Sequence, residues 1–177
     1  MSTSTSTSSQ PASAAKYTLN VVPLSDALAE ELSAWRYEPP FDFYNWSTWK
    51  VMQQLGIEFG DAYIRQQQYA AVTDDNGALI GFAQFFPILG VTRIGLGLRP
   101  DLCGQGQGLG ITLVQAIVKE AIRRAPDDEI DLEVHVWNTR AIRTYERAGF
   151  IITDTYEKPT AAGDVTVHCM SYTHTSS

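Results

Sequence analysis

Arg99-Pro100-Asp101-Leu102-Cys103-Gly104-Gln105-Gly106-Gln107-Gly108-Leu109-Gly110 is the stretch that decides how this chain is read. Four glycines alternate with other residues from 104 to 110. The run before it, Val91 to Leu98, is β-like. The run after it carries Ile111, Val114, Ile117, Val118, Ala121 and Ile122, the spacing of a helix that lays one face on a sheet. A strand, a glycine loop and a helix N-terminus are the parts of an anion site. Backbone N–H groups point outward there, and the helix dipole favours negative charge. Glycines let the backbone come close to what it binds.

The rest of the chain bounds what that loop can serve. A length of 177 residues, 44% hydrophobic and 19% charged, fits one globular domain over residues 16–173. The Ser/Thr/Ala-rich segment 1–15 is expected to be disordered, and 174–177 is a short tail. No apolar run reaches the length of about 18 residues that a membrane span needs, and no secretory leader is visible. Two cysteines, Cys103 and Cys169, are too few for a disulfide scaffold, so a reducing, cytoplasmic setting is expected. With no His beside it, Cys103 reads as a small residue filling the loop rather than as a nucleophile. A net charge of −7 argues against nucleic-acid binding. It permits an amine substrate, and it equally fits simple solubility.

Outward from the loop, the elements follow from pattern and punctuation. A first strand spans Lys16 to Leu24, then a helix capped by Ser25 or Asp26 runs to about Ala34. The segment Trp35 to Trp46 holds six aromatics in twelve residues and the pair Pro39-Pro40, which forbids a regular element. Those aromatics either roof the core or line a substrate pocket, and the two roles are compatible. Trp35, Tyr37, Phe41 and Tyr44 are the candidate substrate-binding residues. Asn45 or Ser47 opens a helix to about Leu55. Gly56 to Gln67 has no clear period, and a short helix is its best fit. Strands over 68–73 and 78–89 flank the turn Asp74-Asp75-Asn76-Gly77. Beyond the glycine loop and its helix, Ile130 to Val136 alternates and Asn138 or Thr139 starts a helix to Arg147. Phe150–Glu157 and Val165–Tyr172 form a last hairpin. The result is a mixed α/β sheet in which antiparallel hairpins flank one parallel strand–helix–strand crossover.

Two separated segments resemble the GNAT superfamily of N-acetyltransferases. Gln105-Gly106-Gln107-Gly108-Leu109-Gly110 is similar to its Gln/Arg-x-x-Gly-x-Gly/Ala loop. Asn138-Thr139-Arg140-Ala141-Ile142-Arg143-Thr144-Tyr145-Glu146-Arg147-Ala148-Gly149-Phe150 is similar to its Asn-x-x-Ala-x-x-x-Tyr-x-x-x-Gly-Phe pattern. The resemblance is specific over residues 91–157 and topological over 16–90. Trp35–Glu38 and Gly95–Leu102 also resemble a bacterial subgroup with unassigned substrates. The loop is about two residues longer than the usual pattern. Cys103 also fits its first position, but Gln105 there puts Leu113 and Val114 in the helix's apolar slots. Cys103 and Gly104 are then expected to bulge away from the ligand.

The resemblance implies a mostly antiparallel sheet, helices on both faces, and a central parallel pair splayed to admit acetyl-CoA. It implies acetyl-CoA as co-substrate, no metal, direct acetyl transfer to a small-molecule or peptide amine, and a homodimer as one option. The amides of Gln105, Gly106, Gln107, Gly108, Leu109 and Gly110 would bind the pyrophosphate. The backbone of Leu96, Gly97 and Leu98 would pair with the pantetheine arm, with Gly95 and Gly97 marking a bulge that opens the strand pair. An N–H near Leu98 would stabilise the oxyanion. Asn138 would bond the pantetheine arm and cap its own helix. Tyr145 would protonate the leaving thiolate.

A lysine-like amine is about 3.4 units too basic to attack at pH 7, a cost of roughly 4–5 kcal/mol. Glu133 is the candidate base, directly or through water, by similarity to ribosomal-protein alanine acetyltransferases; His135 is the second candidate. Two rival glycine-loop readings fall on spacing. The GxGxxG of dinucleotide domains is absent, and no Gly-Lys-Ser/Thr follows the glycines. A non-catalytic acyl-CoA sensor on the same fold remains the alternative from another functional class.

Overall fold

The structure is a computed structural model and describes residues 17–174. The disorder expected for 1–15 and most of the 174–177 tail fall outside the described residues. In chain order the elements are β1 (Asn20–Pro23), α1 (Asp26–Ser33), α2 (Trp49–Leu55), α3 (Ala62–Gln68), β2 (Tyr69–Thr73), β3 (Leu79–Ile88), β4 (Val91–Leu98), α4 (Leu109–Arg124), β5 (Glu129–His135), α5 (Thr139–Arg147), β6 (Phe150–Thr160) and β7 (Gly163–Tyr172). Short 3₁₀ turns cover Asp42–Tyr44, Glu58–Gly60 and Pro100–Leu102.

Short polar residues start four of the five helices, because a side-chain oxygen can take an N–H that lacks an intrahelical partner. Ser25 accepts from the Leu28 N–H, Thr48 from Val51, Asp61 from Ile64 and Asn138 from Ala141. The expected start of α2 at Asn45 or Ser47 is corrected to Thr48. Asn45 is committed elsewhere: its Oδ1 accepts the Tyr37 N–H at 2.7 Å and its Nδ2 donates to the Tyr37 carbonyl at 3.3 Å. The first strand is shorter than expected, since only Asn20–Pro23 pairs with β2. The unpatterned stretch 56–67 forms the 3₁₀ turn and α3. α4 alone lacks a capping side chain, because Gly108 precedes it.

The seven strands lie in the order β1-β2-β3-β4-β5-β7-β6, and every neighbouring pair is antiparallel except β4 and β5. That parallel pair is joined only at Val91–Glu129, Thr92–Ile130 and Arg93–Asp131. From Ile94 and Leu132 onward the two strands part. The expected bulge in β4 is absent: its register against β3 runs unbroken from Gly81–Leu98 to Ile88–Val91. Gly97 serves another purpose. A Cβ there would sit 2.4 Å from the Phe82 ring and 3.0 Å from the Tyr37 hydroxyl, so glycine lets both side chains lie directly on the strand.

Successive residues of β2 face opposite ways, and both ways are buried. Ala70 and Val72 point to α4, where Leu113, Val114, Ile117, Val118 and Ala121 also pack on Phe85, Ile94, Ile130 and Leu132. Tyr69 and Ala71 point to the other face, under Ala29, Leu32, Trp35, Met52 and Phe59 from α1, α2 and the turn after it. Burying each large side chain of this kind contributes about 1.5–3 kcal/mol. Helices therefore cover both faces of the sheet's first half. None of the described helices is long and apolar enough to cross a membrane.

Candidate active site

The gap between β4 and β5 opens a cavity of about 850 Å³. The glycine run borders it at one end and the aromatic segment at the other. Gly104, Gly106 and Gly108 have φ of +72°, +68° and +72°. A Cβ at 106 or 108 would meet nothing within 4 Å, so the conformation, not a shortage of space, calls for glycine at these two positions. Alternate left-handed residues turn successive N–H groups to one side and form an anion-binding concavity. The loop runs into the uncapped N-terminus of the 16-residue α4. Leu113 and Val114 are 1% and 0% exposed, in the slots that the Gln105 register requires.

The loop opens on the Pro100–Leu102 turn, braced by an Arg99–Asp101 ion pair at 2.7 Å and by Gln105 Nε2 donating to the Asp101 carbonyl at 3.0 Å. Cys103 and Gly104, expected to bulge away from the ligand, both line the cavity. The Cys103 thiol donates to the carbonyls of Leu98 and Arg99, each at 3.6 Å, and burial pushes its pKa up although Arg140 opposes this. It is a packed thiol without thiolate character. Gln107 accepts a hydrogen bond from the Tyr17 hydroxyl.

Tyr145 lines the cavity from α5 and packs on Phe150 at a ring distance of 6.1 Å. Burial, with Tyr44 nearby, holds its phenol well above the ordinary range, so it keeps its proton. Asn138, 8% exposed, caps α5, and its nearby side chain partly offsets the burial that raises the Tyr44 phenol. Tyr37 donates its hydroxyl to the Leu98 carbonyl at 2.8 Å, tying the aromatic segment to the open end of β4.

Glu133 reaches the cavity wall from β5. Arg93 donates to its Oε1 at 2.8 Å, Tyr156 donates to the same oxygen, and Lys158 donates to Oε2. Burial alone would raise its pKa. The bonds from Lys158 and Tyr156, with the charges of Lys158 and Arg93, outweigh that and hold it below the ordinary value. His135 lies off the cavity wall, in a cluster with Phe43, Tyr44 and Trp137 at ring distances of 4.8, 6.3 and 5.6 Å. Burial, then the Lys158 charge, lowers its pKa, and its buried Nδ1 has no partner among the described residues.

A sequence model of the Acetyltransferase (GNAT) family matches residues 25–150 of this chain. The chain belongs to the GNAT acetyltransferase family. Three solved structures of the same fold are each below 25% identical. One is an AAC(6')-Ib aminoglycoside acetyltransferase in complex with paromomycin and acetyl-CoA, at 23% identity, covering 89% of this chain and 94% of that one, with a TM-score of 0.68. A second is the Vibrio cholerae spermidine N-acetyltransferase in complex with CoA and spermine, at 18% identity, 86% and 94% coverage and a TM-score of 0.64. The ribosomal-protein-S18-alanine N-acetyltransferase from Escherichia coli follows at 21% identity, 88% and 93% coverage and a TM-score of 0.58.

In this GNAT domain the residues expected at the site fall into two groups. Leu96, Gly97, Leu98, Gln105, Gly106, Gln107, Gly108, Leu109, Gly110, Asn138, Tyr145, Glu133, Tyr37, Phe41 and Tyr44 all line the one cavity. Trp35 does not: it is 7% exposed in the core, 6.3 Å from the Phe82 ring. Glu58, Gln84, Phe43 and Arg140 also line the cavity and were not singled out from sequence. Phe43 could have been, since it belongs to the same aromatic run. Glu58 carries no such signal, sitting in the stretch without a period. Arg140 lies over the Phe41 ring at 4.5 Å, close to Gly104.

Proposed function

We propose that this protein is an acetyl-CoA-dependent N-acetyltransferase that moves an acetyl group to a primary amine by direct attack in a ternary complex. The observation that carries the reading is the parting of β4 and β5 beyond Arg93–Asp131, in front of an uncapped helix N-terminus. The pyrophosphate lies on the amides of Gln105–Gly110, with Arg140 adding positive charge. The pantetheine arm enters the gap and pairs with the backbone of Leu96–Leu98, and Asn138 bonds it from the other side. The thioester then lies between Tyr145 and the aromatic segment.

In the chemical step the neutral amine nitrogen attacks the thioester carbonyl, and the C–N bond forms. An N–H near Leu98 stabilises the oxyanion. The C–S bond breaks, and the leaving sulfur takes the Tyr145 proton. Burial keeps Tyr145 protonated before the sulfur leaves, and the phenolate formed by the transfer regains a proton from solvent. The proton lost by the amine leaves through water towards Glu133. The three donors already on that carboxylate make direct contact with the amine the less favourable route. The two unpaired cysteines fit a reducing, cytoplasmic setting.

Thermal unfolding with acetyl-CoA tests the reading. At a hundredfold excess over Kd the ligand stabilises by about 2.7 kcal/mol, which raises Tm by roughly 5–10 °C. An unchanged Tm at saturating acetyl-CoA overturns the cofactor assignment. Bound acetyl-CoA that no amine consumes leaves the sensor reading in its place.

A further inference from the structure

Two carboxylates face the cavity, and they differ in what holds them. Glu133 is met by two cations and a phenol. Glu58 has one partner among the described residues, the Tyr69 hydroxyl, which donates to Oε2 at 2.9 Å, and it forms no ion pair there. Glu58 is also the single non-glycine residue with positive φ among those described, at +49°. A left-handed backbone at an ordinary residue persists only where the surroundings impose it, and such residues concentrate at functional sites.

The surroundings do impose it. Gly56 ends α2 in the left-handed conformation, and the Ile57 N–H turns back to the Met52 carbonyl at 3.1 Å. Gly60 lies so close to Met52 that a Cβ would sit 2.3 Å from its backbone. Phe59 is fully buried between Trp46 and Tyr69, at ring distances of 4.9 and 5.4 Å, and Arg65 donates to its carbonyl at 2.8 Å. A rigid turn thus presents the Glu58 carboxylate on the face of the sheet opposite α4. The neighbouring wall is aromatic, formed by Phe43, Tyr44 and Trp46. Trp46 Nε1 is buried without an acceptor among the described residues, leaving one donor for a polar atom of a bound molecule.

We infer that the acceptor is a monoamine on an aromatic or apolar body, whose ammonium is first captured by Glu58 while the body lies on the aromatic wall. The nitrogen then gives up its proton through water, as above, and attacks as the neutral amine. This inference rests on the N-acetyltransferase reading and names its substrate class. One uncompensated carboxylate neutralises one ammonium. A polyamine or aminoglycoside would bring further charges into a cavity whose other carboxylate is already paired and which offers no third carboxylate among the described residues. Each unpaired charge removed from water is strongly disfavoured. The aromatic faces add attraction for the cation that does fit.

The test uses the full chain, acetyl-CoA, and 2-phenylethylamine, spermine and kanamycin as acceptors, with CoA release as the signal. The expected kcat/KM for 2-phenylethylamine exceeds that for either polycation by at least tenfold. Glu58→Gln keeps the Tyr69 contact and the side-chain shape but removes the charge. It should raise KM for 2-phenylethylamine ten- to a hundredfold with kcat within threefold. Tyr69→Phe, which spares the carboxylate, should leave KM within threefold. Equal or better use of spermine or kanamycin overturns the inference, as does an unchanged KM in Glu58→Gln. If acetyl-CoA binds and 2-phenylethylamine is not acetylated, the inference falls while the cofactor assignment stands. If acetyl-CoA does not bind, the underlying reading falls with it.

Discussion

At one end of the cavity the wall is backbone: three left-handed glycines and the free first turn of α4, with Arg140 beside them. At the other end it is side chains from separate segments, Tyr37 to Trp46, Glu58, Gln84 and Glu133. The first end comes from one contiguous stretch and favours an anion. The second is gathered by the fold from four places and offers aromatic faces and one uncompensated carboxylate. The contrast shows how a shared fold can fix a cofactor yet leave the acceptor open: backbone amides fit any chain that makes the loop, whereas the acceptor wall changes with each substitution.

Tyr145 stands where the two ends meet, so its removal should have the largest effect. Tyr145→Phe keeps the ring packed on Phe150 and removes only the hydroxyl, the proposed proton donor. The expected loss in kcat is about 10²- to 10⁴-fold, with acetyl-CoA affinity within threefold in a calorimetric titration. A matching fall in affinity would place Tyr145 in the binding end alone.

Gly108→Val tests the backbone end. A β-branched residue resists φ of +72°, by about 1–2 kcal/mol. The loop would relax to another conformation, and binding would have to restore it. Acetyl-CoA Kd should weaken roughly five- to thirtyfold, while the acceptor KM at saturating acetyl-CoA stays within threefold. A shift in both constants would show that the two ends are not separable.

What was legible in the sequence divides along the same line. The glycine loop, the apolar stripe of α4 and the Asn138–Tyr145 spacing are local, and each lies where its pattern puts it. The parting of β4 and β5 was expected, but through a bulge that is not there. The register of β4 is regular, and what Gly97 accommodates, Phe82 and Tyr37, comes from other elements. Asn45 looked like a helix cap because Asn caps helices, and nothing local reveals that it holds the Tyr37 backbone. The partners of Glu133 were out of reach for a topological reason. β6 joins the sheet outside β7, so Tyr156 and Lys158 reach Glu133 across an intervening strand. Trp35 shared its aromatic run with true wall residues, and composition does not say which ring turns inward.

Gly97→Ala links the two ends through packing. Its Cβ would press on Phe82 and on the Tyr37 hydroxyl that bonds the Leu98 carbonyl. Overpacking of this kind costs about 1–3 kcal/mol, a fall in Tm of roughly 2–10 °C. Tyr37→Phe in the same background should recover part of that loss by freeing the hydroxyl contact. No recovery would show that Phe82 alone carries the clash.

The smallest expected effect concerns Glu133, and its value lies in its pH dependence. Glu133→Gln removes the ion pairs with Arg93 and Lys158 but leaves Arg93 bound to Asp131 through two bonds at 2.9 and 2.8 Å. Lys158 is half exposed and can return to water. The loss at neutral pH should therefore be about 1 kcal/mol or less, at most a few degrees in Tm. The folded-state pKa of Glu133 lies below its unfolded value. Its contribution is then fully present above the unfolded value of about 4.3, and it disappears as pH falls through the folded one. The Tm difference between wild type and Glu133→Gln should accordingly be constant above about pH 5 and shrink in acid, because the variant has no proton to take up there. A difference that persists unchanged well below pH 4 would mean that packing, not the charge held by Arg93, Tyr156 and Lys158, sets the stability of this wall. The acceptor end would then owe nothing to its compensated carboxylate, and Glu58 would carry its electrostatics alone.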